Sequence, residues 1–188
     1  GWRAGGQNVA RRDGHASISS GTKFFWCMAA GVAEHDGLLE LDETVADTIT
    51  EWKSSKTKRT ITIRQLLNFT SGMAPMDELH EDNVSDRDAL AVKSDLAATP
   101  GTRFIYGPAS LQIFHEVLKR KLASRKQTPV QYLERQVLRP LGLAPQRYVP
   151  DKSGTPLMDA GFMLTADQWL KIGRLILNNG KPVISSSA

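Results

Sequence analysis

The chain has 188 residues, enough for one ordinary domain or for one large and one small lobe. Hydrophobic residues make up 40% and charged residues 23% with no long polar tract, which excludes a disordered chain and permits a packed core. The formal charge of +4 is scattered apart from Lys53, Lys56, Lys58 and Arg59, and no aromatic or glycine-rich reader accompanies that cluster, so a nucleic-acid partner is not expected.

The first apolar segment is the run Phe24-Phe25-Trp26-Cys27-Met28-Ala29-Ala30. A helix is predicted to open at Ser20, run to Val32 and Ala33 and close at Gly37. Its first turns are apolar on every face, which predicts a central buried helix, and the run is too short to span a bilayer. Cys27, the sole cysteine, excludes an intrachain disulfide, leaves the redox compartment open, and is expected to be a buried small side chain.

Residues 38–49 read as a loop leading into a short helical turn. Thr62-Ile63-Arg64-Gln65 spells a capping box, in which hydroxyl and amide side chains satisfy free backbone N–H groups, ahead of a short helix ending before Gly72. A weaker box, Ser85 with Asp88, precedes 89–96. Pro100-Gly101 marks a turn, and Pro108 suits the first position of a helix reaching about Ala123. Thr128 with Gln131 opens a helix ending near Leu138, and Thr165 with Gln168 opens one over 166–178, stopped by Asn179-Gly180. Extended segments are expected only near 7–10, 16–19, 103–106 and 160–164, so the chain reads as mostly helical.

Chemistry centres on Ser20-Gly21-Thr22-Lys23. Residues three apart share a helix face, so the Lys23 amine can approach the Ser20 hydroxyl and take its proton if its charged form is disfavoured. Phe24, Phe25 and Trp26 are the groups expected to supply that apolar setting, and a helix N-terminus favours developing negative charge. The spacing alone is weak: 14 serines and 11 lysines give about 0.8 such pairs by chance, and there are two. The second, Ser55-Lys56-Thr57-Lys58, lies in a basic polar stretch with nothing evident to desolvate its lysine. His15, His80 and His115 show no metal-ligand spacing, and the absence of a G-x-S-x-G elbow argues against an α/β-hydrolase. Ser17 and Ser19 read as hydrogen-bonding residues at a strand end.

Context supplies what spacing does not. Ser20-Gly21-Thr22-Lys23-Phe24-Phe25 at the head of an apolar helix resembles the nucleophile segment of the superfamily of class C β-lactamases, D-alanyl-D-alanine carboxypeptidases and family VIII esterases. The stretches Asp36-Gly37-Leu38-Leu39-Glu40-Leu41-Asp42-Glu43-Thr44-Val45, Thr60-Ile61-Thr62-Ile63-Arg64-Gln65-Leu66-Leu67-Asn68-Phe69-Thr70-Ser71-Gly72-Met73, Pro100-Gly101-Thr102-Arg103-Phe104-Ile105-Tyr106 and Gly161-Phe162-Met163-Leu164-Thr165-Ala166-Asp167 are similar to later blocks of that superfamily, in its order.

The resemblance implies an α+β, β-lactamase/transpeptidase-like fold, with a helical lobe and an incomplete antiparallel sheet flanked by helices. It makes 1–188 a single domain expected to be incomplete at both ends, since the chain starts Gly1-Trp2-Arg3 without methionine and has no Lys-Thr-Gly before Ala188. It assigns Ser20 as acylated nucleophile, Lys23 as activating partner and Tyr106 as proton-shuttling phenol, with no cofactor or metal. A second oxyanion donor, a backbone N–H beside that of Ser20, would come from the later strand, so the 188 residues alone are expected to be feeble or inactive. The family's frequent Tyr-x-Asn is here Tyr106-Gly107-Pro108, which loses an amide side chain and favours an ester or D-amino-acid peptide over a lactam as substrate. A β-lactamase proper and a non-catalytic peptidoglycan- or partner-binding member are the alternatives, and His35-Asp36-Gly37, which fits His-x-Gly, is read as a helix-ending turn. A periplasmic or secreted location is implied by resemblance alone, and the oligomeric state stays open.

Overall fold

The computed structural model describes residues 14–180. Among the described residues two strands and six α-helices, linked by short 3-10 turns and by a π-helical turn, Glu134–Leu138, that continues α5, follow in the order β1 (Ala16–Ser17), α1 (Lys23–His35), α2 (Ile63–Leu67), α3 (Arg87–Lys93), α4 (Ala109–Leu122), α5 (Pro129–Leu133), β2 (Met163–Leu164) and α6 (Ala166–Leu177). The class is α+β, dominated by helix, with the two strands paired antiparallel in the register Ala16 to Leu164 and Ser17 to Met163. The extended segment expected at 7–10 lies outside the described residues, and 103–106 is an irregular extended stretch without a sheet partner.

Helix starts follow the capping chemistry of the sequence. Thr62, Thr128 and Thr165 each accept from the N–H three residues on, and Gln65, Gln131 and Gln168 reach back in reciprocal boxes. The box expected at Ser85 is corrected: Asp86 caps α3 by accepting from Ala89 N at 2.9 Å, and α3 ends at Lys93. Asp88 is thereby freed to point inward.

The helix buried on every side is α4, not α1. Seven consecutive residues from Ala109 to His115 are buried, and α2, α3 and α5 pack around them. α1 buries one face, formed by Phe25, Trp26, Ala29, Ala30 and Ala33, while Cys27 and Gly31 are exposed. The small residues of α1 read as apolar in sequence yet carry little surface, and a Cβ added at Gly31 would meet nothing within 4 Å. Cys27 is therefore a surface thiol rather than a core residue. Among the described residues no helix is long and apolar enough to cross a membrane.

Candidate active site

The sheet and a left-handed residue place Ser20. β1 is extended by a bond from Ile18 N to Phe162 O at 3.0 Å, after which Ser19 takes φ +44 and its N–H donates to Ser17 Oγ at 3.2 Å. The chain then winds through a 3-10 turn, Ser19–Thr22, directly into α1. Ser20 stands exposed in that turn. Thr22, buried beneath it, accepts from Phe162 N at 3.2 Å and so ties the turn to the segment that leads into β2.

Lys23 is buried, with 8% of its surface exposed, and its amine faces away from the core. Nζ donates to the Asp159 carbonyl at 3.1 Å, pairs with Asp159 Oδ2 at 3.2 Å, and lies 4.6 Å from the centre of the Tyr106 ring. The expected apolar setting from Phe24, Phe25 and Trp26 is thus corrected. Successive helix residues point about 100° apart, so neighbours in sequence cannot wrap the amine. Phe25 and Trp26 enter the core instead, and a carboxylate from a distant loop meets the charge.

Tyr106 is held by the chain on both sides. Ile105 N donates to Phe69 O at 2.8 Å, and Phe69, itself at φ +61, sets its ring 5.2 Å from that of Tyr106. On the other side Gly107 passes so close to Pro75 that a Cβ would fall 2.5 Å from the Pro75 Cα. Tyr106 remains 50% exposed, and its hydroxyl is held below the ordinary tyrosine range, first by Lys23 and second by Ser20; burial and the Asp159 charge oppose this less strongly. Of the three residues singled out from sequence, Lys23 lies against the Tyr106 ring, and Ser20 stands in the turn that leads into Lys23. Only the lysine is dry.

Two further groups complete the cluster. His80, on a 3-10 turn Asp77–His80, places Nε2 2.9 Å from Asp159 Oδ2. Asp159 is almost fully buried, and its loop is fixed by Gln112, which donates to Pro156 O at 2.9 Å and accepts from Met158 N at 3.3 Å. Arg87, fully buried, joins the two segments: it donates to Leu79 O at 2.7 Å and Glu81 O at 3.3 Å beside His80, and to Val149 O at 3.1 Å and Thr155 O at 3.4 Å on the other loop. Neither His80 nor Asp159 was recognisable as part of this site in sequence. The single available signal was the position of Asp159, two residues before the block that opens at Gly161.

The second serine–lysine pair behaves differently from its sequence reading. Lys58 is half-buried; burial pushes its ammonium below the ordinary lysine range despite the opposing charge of Asp95. Its amine donates to the carbonyls of Val92 and Ser94 and sits 5.3 Å from the Trp52 ring, while Ser55 Oγ accepts from the backbone of Lys58. That lysine is occupied by carbonyls. His35-Asp36-Gly37 is the end of α1, with Gly37 at φ +67 and Asp36 accepting from Tyr132 Oη at 3.0 Å. Among the described residues, no three histidine, cysteine or acidic side chains gather as metal ligands would.

Comparison with known proteins bears on the fold and the family. No curated protein matches the sequence. Solved structures do. A candidate β-lactamase from Bacteroides dorei superposes with a TM-score of 0.72 at 24% identity, covering 90% of this chain and 52% of its own. A D-stereospecific amidohydrolase from Streptomyces gives 0.67 at 19% identity, covering 87% and 61%. EstCE1, a hydrolase with promiscuous acyltransferase activity, gives 0.66 at 21%, covering 88% and 59%. The chain thus spans between half and two thirds of the length of these structures, and they show its fold. The family described as Beta-lactamase matches residues 3–170, and the chain belongs to it.

Proposed function

We propose that the chain carries the nucleophile side of a serine hydrolase that transfers an acyl group from an ester or amide, a small ester or D-amino-acid peptide, through Ser20. The observation that carries this reading is the buried Lys23 amine set 4.6 Å from the centre of the Tyr106 ring, directly after the turn that holds the exposed Ser20. Lys23 accepts the hydroxyl proton as Oγ bonds to the carbonyl carbon, and Tyr106 passes a proton to the departing group. The Ser20 backbone N–H, exposed at the head of α1, is one donor for the tetrahedral oxyanion. No residue in this scheme calls for a cofactor. A lactam substrate is the second reading, favoured by the family match over residues 3–170 and opposed by Pro108, which offers no side-chain amide to orient a lactam.

The test exposes the full-length protein to a fluorophosphonate and to a labelled penicillin and maps the adducts by peptide mass spectrometry. Modification of Ser20 by the fluorophosphonate alone supports the ester or amide reading. Modification by both with turnover of a chromogenic cephalosporin supports the lactam reading. No adduct at Ser20 overturns both and favours a binding role for the same cleft. Lys23→Met is expected to slow modification by about 10²–10⁴-fold, the range for losing a general base.

A further inference from the structure

Hydrogen-bond accounting fixes where the protons lie in the His80–Asp159–Lys23 cluster. His80 Nδ1 is 3.0 Å from the Asp77 carbonyl oxygen, which only accepts, so Nδ1 carries a hydrogen. Nε2 then faces Asp159 Oδ2 at 2.9 Å. Two lone pairs repel at that distance, so one proton lies between them, as imidazolium with carboxylate or as neutral imidazole with carboxylic acid. The pair sums to zero charge either way. The same Oδ2 is 3.2 Å from Lys23 Nζ, and Oδ1 is buried without a hydrogen-bond partner among the described residues. One oxygen therefore faces both His80 and Lys23.

We propose that Asp159 and His80 are positioning residues that set how readily Lys23 exchanges its proton, with His80 as the solvent-facing counter-ion; this deepens the acyl-transfer reading and rests on it. While His80 is charged, the Asp159 charge is already compensated and Lys23 is free to be neutral. When Ser20 Oγ bonds to the acyl carbon, its proton moves to Lys23, Asp159 turns to the new ammonium, and His80 releases its Nε2 proton to water. On departure of the leaving group Lys23 returns that proton, directly or through Tyr106, and His80 takes one back from solvent. The His80 side chain is 43% exposed against 4% for Asp159, so the outer member alone meets water. Other charged groups near His80 are Asp77, Glu78 and Glu81 on or next to its own turn, and Arg87 of α3, which bonds the Leu79 and Glu81 carbonyls; Tyr106 faces the cluster beside Lys23.

The test reads the His80 ring nitrogens by NMR at one fixed pH in the whole chain, and the rate of fluorophosphonate modification of Ser20 across pH. Lys23→Met is expected to raise the protonated-to-neutral ratio at Nε2 about tenfold, and Asp159→Asn to lower it about tenfold, the effect of a unit charge close by. His80→Gln, a surface substitution, is expected to slow modification of Ser20 about tenfold and to shift its pH profile with unchanged melting. Nitrogen signals indifferent to both substitutions, or an unchanged pH profile in His80→Gln, overturn this inference and leave the acyl-transfer reading standing. Coupled signals in a full-length protein whose Ser20 never reacts overturn the acyl-transfer reading, and the role given to His80 with it.

Discussion

Among the described residues two carboxylate–imidazole pairs of similar length have opposite character. Asp88 Oδ2 meets His115 Nδ1 at 2.6 Å, and both side chains are sealed, at 1% and 4% exposure. Asp88 also accepts from Gln112 at 2.9 Å and Lys119 at 3.2 Å, so both its oxygens are bonded. Asp159 meets His80 at 2.9 Å, but one of its oxygens is unpartnered, a buried lysine competes for the other, and the imidazole reaches solvent. A carboxylate with both oxygens bonded serves as a rivet, here between α3 and α4. One left short of partners in a charged pocket has freedom to respond to proton movement. Distance alone does not separate the two; completeness of partnering does.

The sharpest way to break this contrast is to remove each carboxylate. Asp88→Ala leaves His115 buried without its acceptor and Gln112 with only the Pro156 carbonyl, and is expected to cost about 3–5 kcal/mol, lowering the melting temperature by about 10 °C, as read by calorimetry. Asp159→Asn is expected to cost clearly less, because the backbone carbonyl at 159 still accepts from Lys23 and His80 can turn to water. Equal losses would erase the distinction. The same contrast extends to acid. Burial pushes the Asp88 carboxyl up, but bonds from His115 and Gln112 and the nearby charges of His115 and Lys119 outweigh it, so the net shift is down. Its contribution is therefore complete above about pH 4 and fades as pH falls through the lowered value. Acid unfolding of Asp88→Ala is expected to show a flatter pH dependence there than the wild type.

Gly107→Ala has a smaller expected effect on stability, about 1–3 kcal/mol from overpacking against Pro75. Its stronger consequence is at the open pair's side of the molecule, where displacing the backbone beside Tyr106 is expected to slow modification of Ser20. Melting measured beside labelling rate separates the two effects.

The mildest test is spectroscopic. The chain has three tyrosines. Burial, with Asp36 beside Tyr132 and Glu134 beside Tyr148, raises two of them well above the ordinary value, while Tyr106 lies below its ordinary 10.0. An alkaline absorbance titration is expected to show one early phenolate and two late ones. Lys23→Met is expected to move the early one up, and Asp159→Asn to move it slightly down, since the Asp159 charge opposes its ionisation.

Helix ends were legible in the sequence because capping is local: Thr62, Thr128 and Thr165 and their glutamines act within three residues. Ser20, Lys23 and Tyr106 were singled out through motif resemblance, and the fold sets the Lys23 amine against the Tyr106 ring. What escaped was set by distance along the chain. Asp159 reaches Lys23 across 136 positions, and His80 reaches Asp159 across 79, so no spacing in the sequence couples them. Burial of α4 rather than α1 escaped for a related reason, since apolar pattern does not reveal which helix others surround. Cys27 and Lys58 were misread because exposure of a short apolar side chain and desolvation of a long charged one depend on what packs above them.

The most direct measurement of the central claim is the second-order rate of fluorophosphonate attachment to Ser20, located by peptide mapping, in the wild type and in Tyr106→Phe and Lys23→Met. A single adduct at Ser20 that slows at least tenfold in both variants is the expected result. Attachment elsewhere, or at Ser20 with equal rates in all three proteins, would contradict the assignment of one hydroxyl, one amine and one phenol to a shared proton.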